Sequence, residues 1–249
     1  MTAGERALSA TLVELADTLV SDYDLADYLD RLLGHAVAAV GGAGGGVMLA
    51  PDPRREPVTL ELLASTDERV RSLEVFELQR DEGPCVESFR EGAQVFETNL
   101  PASGRWPLFT PAALELGFHS VFAFPMRLRG QVIGALNLFR GLSQDVDPDA
   151  VAMAQTYADM ATIGILQQRA AREARELAAN LQGALNSRVV IEQAKGVLAE
   201  RVGYEMDEAY QAMRWYARHH NLRLRDVAAD VVGGSLAAGE FRRPDQPAP

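Results

Sequence analysis

Between Ala150 and Val202 the chain has no proline, and small or apolar residues return every seventh position: Ile163, Ala170, Leu177, Ala184, Ile191 and Leu198. A second set stands at the complementary position of the heptad: Met160, Gln167, Ala174, Leu181, Arg188 and Lys195. Only a helix keeps such positions on one stripe, and two stripes sustained over several heptads form the seam of a coiled coil. The candidate seam comprises Ile163, Ala170, Leu177, Leu181 and Ala184, flanked by Arg169, Arg172, Glu173, Arg175 and Glu176 as a solvated helix requires. Many seam positions are alanine, so pairing would be close but weak per contact. The alternative is one long amphipathic helix packed on its own domain.

Composition bounds the rest. The 249 residues are 47% hydrophobic and 24% charged, enough to bury a core. A net charge of -11 argues against coating nucleic acid by bulk charge and against an anionic membrane. The charge is unevenly spread: residues 1–181 hold 15 basic and 26 acidic side chains, residues 182–249 hold 9 of each, and Arg188 to Arg225 is +2. Only the C-terminal third would tolerate an anionic partner. Cys85, the single cysteine, excludes a disulfide within the chain and an all-cysteine metal site. The apolar stretch Ala36–Ala50 is broken by glycines and too short for a bilayer. The N-terminus lacks a secretory pattern, so a soluble cytoplasmic protein is expected.

Helical spacing from Glu5 to Val40 dips at Ser21–Asp24, which predicts two helices, the second capped by Asp22 or Asp24. Gly41–Gly46 breaks the pattern. Val47–Ala50 and Val58–Ala64 read as strands, Thr66–Leu78 and Cys85–Arg90 as helices, and Gln94–Glu97 as a short strand. Val121–Leu128 and Gln131–Phe139 form the clearest hairpin around Arg129-Gly130, with Pro125 bulging or breaking the first strand. Asp147-Pro148-Asp149 opens the long helix, which Gly203 ends. Asp207 to His220, closed by Asn221, and Leu224 to Leu236 are two more helices. The fold class is α+β: an antiparallel sheet flanked by helices over residues 1–168, a coiled-coil linker over 169–181, an all-α bundle over 182–238 and a disordered tail over 239–249.

Two stretches resemble known families. Residues 182–232 resemble an ANTAR domain, an RNA-binding helical module of bacterial antitermination regulators. The likeness rests on Arg188-x-x-Ile191-x-x-Ala194-Lys195-Gly196-x-Leu198, then Asp207-Glu208-Ala209-Tyr210, Met213-Arg214, Ala217-Arg218 and Leu224-Arg225-Asp226-Val227-Ala228. Met206 departs from the family's Ser or Thr helix cap, and Asp207 is expected to take over. Residues 25–168 resemble a GAF domain, a sensory α+β module, through Gly83-Pro84-Cys85, Trp106-Pro107, Gly117-Phe118-His119-Ser120, Pro125 and Gly130 to Leu138. The cyclic-nucleotide signature of some GAF domains is absent, and the chromophore cysteine of bilin-binding relatives has no counterpart. The layout is similar to antitermination regulators of actinobacteria.

On a helical wheel, Ala209, Met213, Tyr216 and His220 share a core-facing side of the Asp207–His220 helix. Gln211, Arg214 and Arg218 share another, with Tyr210 and Trp215 at its margins. From charge alone the arginines are a solvated face; the ANTAR resemblance implies RNA contact. Arginine forks phosphate and stacks on bases, and sequence-specific RNA recognition targets bases splayed from loops. The candidate RNA-binding residues are Arg188, Gln193, Lys195, Tyr210, Arg214, Arg218 and Arg225. The family's target is a pair of stem-loops in nascent RNA, and a homodimer offers two reading surfaces.

For the GAF-like domain, a pocket for a small-molecule or protein signal would be lined by Phe89, Trp106, Phe109, Phe118, His119, Phe122 and Phe124. A filled core competes with that reading, because alternating aromatics on a strand are as a rule core. Cys85 reads as an inert buried thiol or, at a helix start, as a redox sensor. No metal ligand cluster, catalytic set or cofactor motif stands out, so neither an enzyme nor a cofactor is expected. The favoured function is RNA-binding antitermination under GAF control. The alternative is a signal-responsive DNA-binding regulator, disfavoured by the shallow charge.

Overall fold

The computed structural model describes residues 3–19, 23–51, 58–128 and 130–241, and divides into two compact units, Met1–Ala170 and Ala171–Pro249. The first unit is built on a five-stranded antiparallel sheet of order β2-β1-β5-β4-β3. Its strands are β1 (Gly44–Leu49), β2 (Glu61–Ser65), β3 (Val95–Glu97), β4 (Ser120–Leu128) and β5 (Gln131–Arg140). β4 and β5 form the expected hairpin, and β4 stays continuous through Pro125, with a register shift only between Met126 and Arg127. Proline is tolerated there because β3 pairs only with Val121–Ala123, so no neighbour needs the missing donor.

The central strands are buried on both faces. Leu136 and Leu138 of β5, with Phe122, Phe124 and Met126 of β4, pack under α1 (Ala3–Thr18), α2 (Leu25–Ala39) and the first part of α6 (Pro148–Val202). Tyr28 of α2 fills that layer: its hydroxyl donates to the Met160 carbonyl at 3.0 Å, and its ring lies where a side chain at Gly164 would collide. The opposite face meets α3 (Glu68–Arg80), α4 (Pro84–Glu91) and α5 (Phe109–Glu115), with Val70, Leu73, Phe109, Phe118 and Phe139 in its core.

Local chemistry accounts for the helix boundaries. Asp24 caps α2 by accepting from the Ala26 and Asp27 amides, and Asp67 caps α3 through Arg69 and Val70. Asp22, the other candidate cap, lies outside the described residues. One expectation is overturned: Gly44–Gly46 do not break the chain but begin β1. β2 also starts later than the sequence suggested, at Glu61.

In the second unit α6 continues to Val202, followed by α7 (Met206–His219), α8 (Leu224–Gly233) and a 3-10 turn at Ala238–Phe241. Ala194, Leu198, Ala209, Met213, Tyr216, Val227 and Val231 form its core. α7 starts at Met206 with Glu205 as its cap, not at Asp207, and Glu208 reaches back to accept from the Glu205 amide at 3.0 Å. Asn221 takes the left-handed conformation, with φ 53°, that ends α7. Residues 239–241, expected in a disordered tail, belong to that 3-10 turn: Gly239 and Glu240 are exposed, but Phe241 is buried and its carbonyl accepts from the Tyr204 hydroxyl at 2.9 Å. The remaining tail, 242–249, lies outside the described residues.

Candidate nucleic-acid interface and sensory core

α7 divides cleanly into two sides. Ala209, Ala212, Met213, Tyr216 and Ala217 are buried, leaving Gln211, Arg214, Trp215, Arg218 and His219 outward. His220, expected on the core side, is exposed at the helix end with its ring against Tyr216. Among the described residues, neither Arg214 nor Arg218 meets a carboxylate, and Arg188 on α6 is likewise exposed without an ion pair. Tyr210, Arg214 and Arg218 recur every fourth residue and so share one stripe of α7.

The other candidates are placed differently. Lys195 has only 12% of its side chain exposed, and its ammonium sits on Glu192 at 2.8 Å. Arg225 is exposed but pairs with Asp226 at 3.2 Å. Gln193 is exposed on α6, and Tyr210 is half-buried. Trp215 stands at the margin of the outward side on a helical wheel. It is 49% exposed and stacked on His219, with ring centroids 5.0 Å apart and planes 9° apart.

The seam candidates Ile163, Ala170, Leu177, Leu181 and Ala184 are all exposed. Leu177, Leu181, Leu185 and Val189 recur every fourth residue of α6 and make an apolar stripe in water.

In the first unit, the seven aromatic and histidine candidates do not line one cavity. Phe122 and Phe124 lie under α2 and α6, whereas Phe109 and Phe118 lie on the opposite face. Phe89 borders a cleft of about 440 Å³ beside α4, walled by Leu60, Leu78 and Val86. Trp106 borders a neighbouring cleft of about 360 Å³ with Glu82, Glu87 and Glu91. Its indole N–H donates to Glu87 at 2.8 Å, and the Arg105 guanidinium lies 4.4 Å over its ring. His119 is half-buried in the chain leading into β4. Among the described residues no cluster of His, Cys, Asp or Glu suits a metal ion.

A polar group missed by the sequence reading lies inside the α3 face. Glu74 and Glu77 are both fully buried and share Asn137 of β5, whose amide donates to Glu74 Oε1 at 3.1 Å and to Glu77 Oε2 at 3.4 Å. Glu77 Oε1 also accepts the backbone N–H groups of Cys85 (2.7 Å) and Val86 (3.0 Å). It thereby does for α4 what Gly83, lacking a side chain, cannot. Burial pushes Glu74 up to about 8. Burial first, and then the charge of Glu74, pushes Glu77 well above the usual carboxylate range. Burial likewise raises the Cys85 thiol, which argues against a reactive thiolate. A signal did exist: Val70, Leu73, Glu74 and Glu77 recur at helical spacing, so two glutamates fall on the side of α3 that Val70 and Leu73 turn inward.

Comparison with known proteins adds three findings. A GAF domain family model matches residues 22–166, and an ANTAR domain model matches residues 179–232. No curated protein matches the chain. Among solved structures, the GAF domain from an Acinetobacter phosphoenolpyruvate-protein phosphotransferase aligns at TM-score 0.52 and 18% identity, covering 70% of this chain and 99% of that one. The GAF domain of a Coxiella burnetii phosphoenolpyruvate-protein phosphotransferase aligns at TM-score 0.51 and 15% identity, covering 67% and 96%. At such identities the likeness is one of fold.

Proposed function

The chain belongs to the GAF domain family and carries an ANTAR domain after it, and from that premise we propose that it is a signal-responsive antiterminator whose C-terminal unit grips paired stem-loops in nascent RNA. ANTAR domains are RNA-binding antitermination modules and GAF domains are sensory, so the two halves divide recognition from control. The observation that carries the reading is the outward side of α7, with two exposed arginines that meet no carboxylate among the described residues, beside a half-exposed tryptophan. Guanidinium groups fork phosphate oxygens, and a small mixed surface suits a structured loop better than a long duplex.

In this reading the protein is a cytoplasmic regulator and not an enzyme. It acts as a homodimer through the exposed α6 stripe, with Leu177, Leu181 and Ala184 at the seam and Ile163 and Ala170 extending it. A small molecule or protein signal at the GAF domain sets the RNA affinity. Binding of a paired stem-loop RNA, of either hairpin alone and of duplex DNA of the same sequence, tested side by side with the full chain, checks the proposal. Preference for the paired RNA supports it. Equal or stronger binding of the duplex overturns it in favour of a DNA regulator.

A further inference from the structure

Tryptophan left half in water forgoes the burial that normally makes it a core residue. At Trp215 the fold does not need it, since the inner side of α7 is already filled by Ala209, Ala212, Met213, Tyr216 and Ala217. Yet the indole is held in place: His219, one turn on, lies nearly parallel at 5.0 Å between centroids. Arg218 follows Trp215 at i+3 and Arg214 precedes it, and neither is paired with a carboxylate among the described residues. The patch therefore combines an ordered aromatic face with two uncompensated cations.

An apolar protein surface closing over this patch would bury both guanidinium groups without partners, at high cost. Single-stranded nucleic acid supplies both missing halves, a flat base for the indole and phosphates for the arginines. Resting on the RNA-binding reading above, we propose that Trp215 stacked on His219 is a platform for one unpaired base of the bound stem-loop, with Arg214 and Arg218 holding the adjoining phosphates. Trp215 is then the residue that senses whether the loop presents a base.

The test uses the full chain and a paired stem-loop RNA, intact and with each loop position made abasic in turn. The parent should bind the intact RNA and lose affinity when one particular loop base is removed. Trp215→Ala should bind the intact RNA roughly tenfold or more weakly, and should no longer respond to that abasic position. Trp215→Phe, which keeps a ring, should retain much of both effects, and unchanged circular dichroism of the two variants guards against misfolding. Parental affinity and parental loop sensitivity in Trp215→Ala would overturn the platform while leaving RNA binding intact. A change of mass in light scattering with unaltered loop sensitivity would also overturn it, because the indole would then seat a protein. Should the parent bind no stem-loop at all, the RNA reading itself falls and the platform with it.

Discussion

Glu74 and Glu77, sharing one asparagine in an apolar layer, cannot both hold charge cheaply, and among the described residues Glu74 Oε2 and Asn137 Oδ1 find no hydrogen-bond donor. A proton on the pair supplies that donor, and the two carboxyls titrate as one unit. The ordinary value is 4.5 and Glu74 is pushed up to about 8, so the native state keeps a proton that the unfolded chain releases. The stability this proton confers is full below the unfolded value and is lost as pH rises through the folded one. The melting transition of the GAF unit should therefore weaken as pH rises from about 4.5 to about 8, by roughly 1 kcal/mol per pH unit for each proton retained. Glu74→Gln should flatten that slope and leave the variant the more stable of the two at the alkaline end. Equal slopes in melts followed by circular dichroism would remove the buried-proton account. A second contrast concerns the cations. Arg218→Ala should lower the salt dependence of RNA binding by about one phosphate contact, whereas Lys195→Ala, whose ammonium already sits on Glu192, should leave that slope unchanged. Both residues carry the family likeness, but the sequence did not show that one is free and the other held. Pairing at i+3 was visible in principle, since Glu192 precedes Lys195 by three positions.

Elements were legible where side chains signal their own local job. Asp24, Asp67, Pro148 and Asn221 each stand at the helix end their chemistry favours, and the Gly130 turn sets the β4–β5 hairpin. Elements were illegible where the reason lies across the fold. β1 opens on three glycines because side chains there would meet other groups: at Gly46 a Cβ would lie 2.7 Å from Glu74 Oε1, and at Gly44 2.5 Å from Val70. Nothing within residues 41–46 announces those neighbours. Phe241 is a similar case, a tail residue by composition that Tyr204 and Tyr216 draw into the bundle. The heptad repeat of α6 was plain, and the structure adds that Leu177 and Leu181 are 60% and 58% exposed in the single chain. Two leucines of that exposure gain burial only from a partner. Leu177→Asp with Leu181→Asp should convert a dimer to a monomer in light scattering while helicity persists, because no core contact within the chain is lost. A monomeric parent would dispose of the seam.

At the scale of the molecule, sensing and RNA recognition occupy separate compact units of one chain, with α6 running through both. The acidic excess lies with the first, since residues 1–181 hold 15 basic and 26 acidic side chains against 9 and 9 beyond. Repulsion of RNA from the acidic first unit follows from that partition, whereas the second is neutral overall, so attraction at α7 would rest on the local placement of Arg214 and Arg218 and not on net charge. In the proposed reading each copy would offer only the few phosphate contacts that Arg214 and Arg218 can make, and binding that rests on few phosphates weakens at cellular salt. In the proposed homodimer the arithmetic changes: with one hairpin held, the second would bind from within the complex, at an effective concentration set by the spacer between the hairpins. The parent should accordingly bind a paired stem-loop about a hundredfold more tightly than either hairpin alone, and the advantage should decline as the spacer is lengthened. In Leu177→Asp/Leu181→Asp the single-hairpin affinity should survive while the advantage of the pair disappears, because each α7 surface stays whole and only the linkage is cut. If the double variant kept the preference for paired hairpins, avidity through the α6 seam would be the wrong mechanism, and a single chain would have to read both loops.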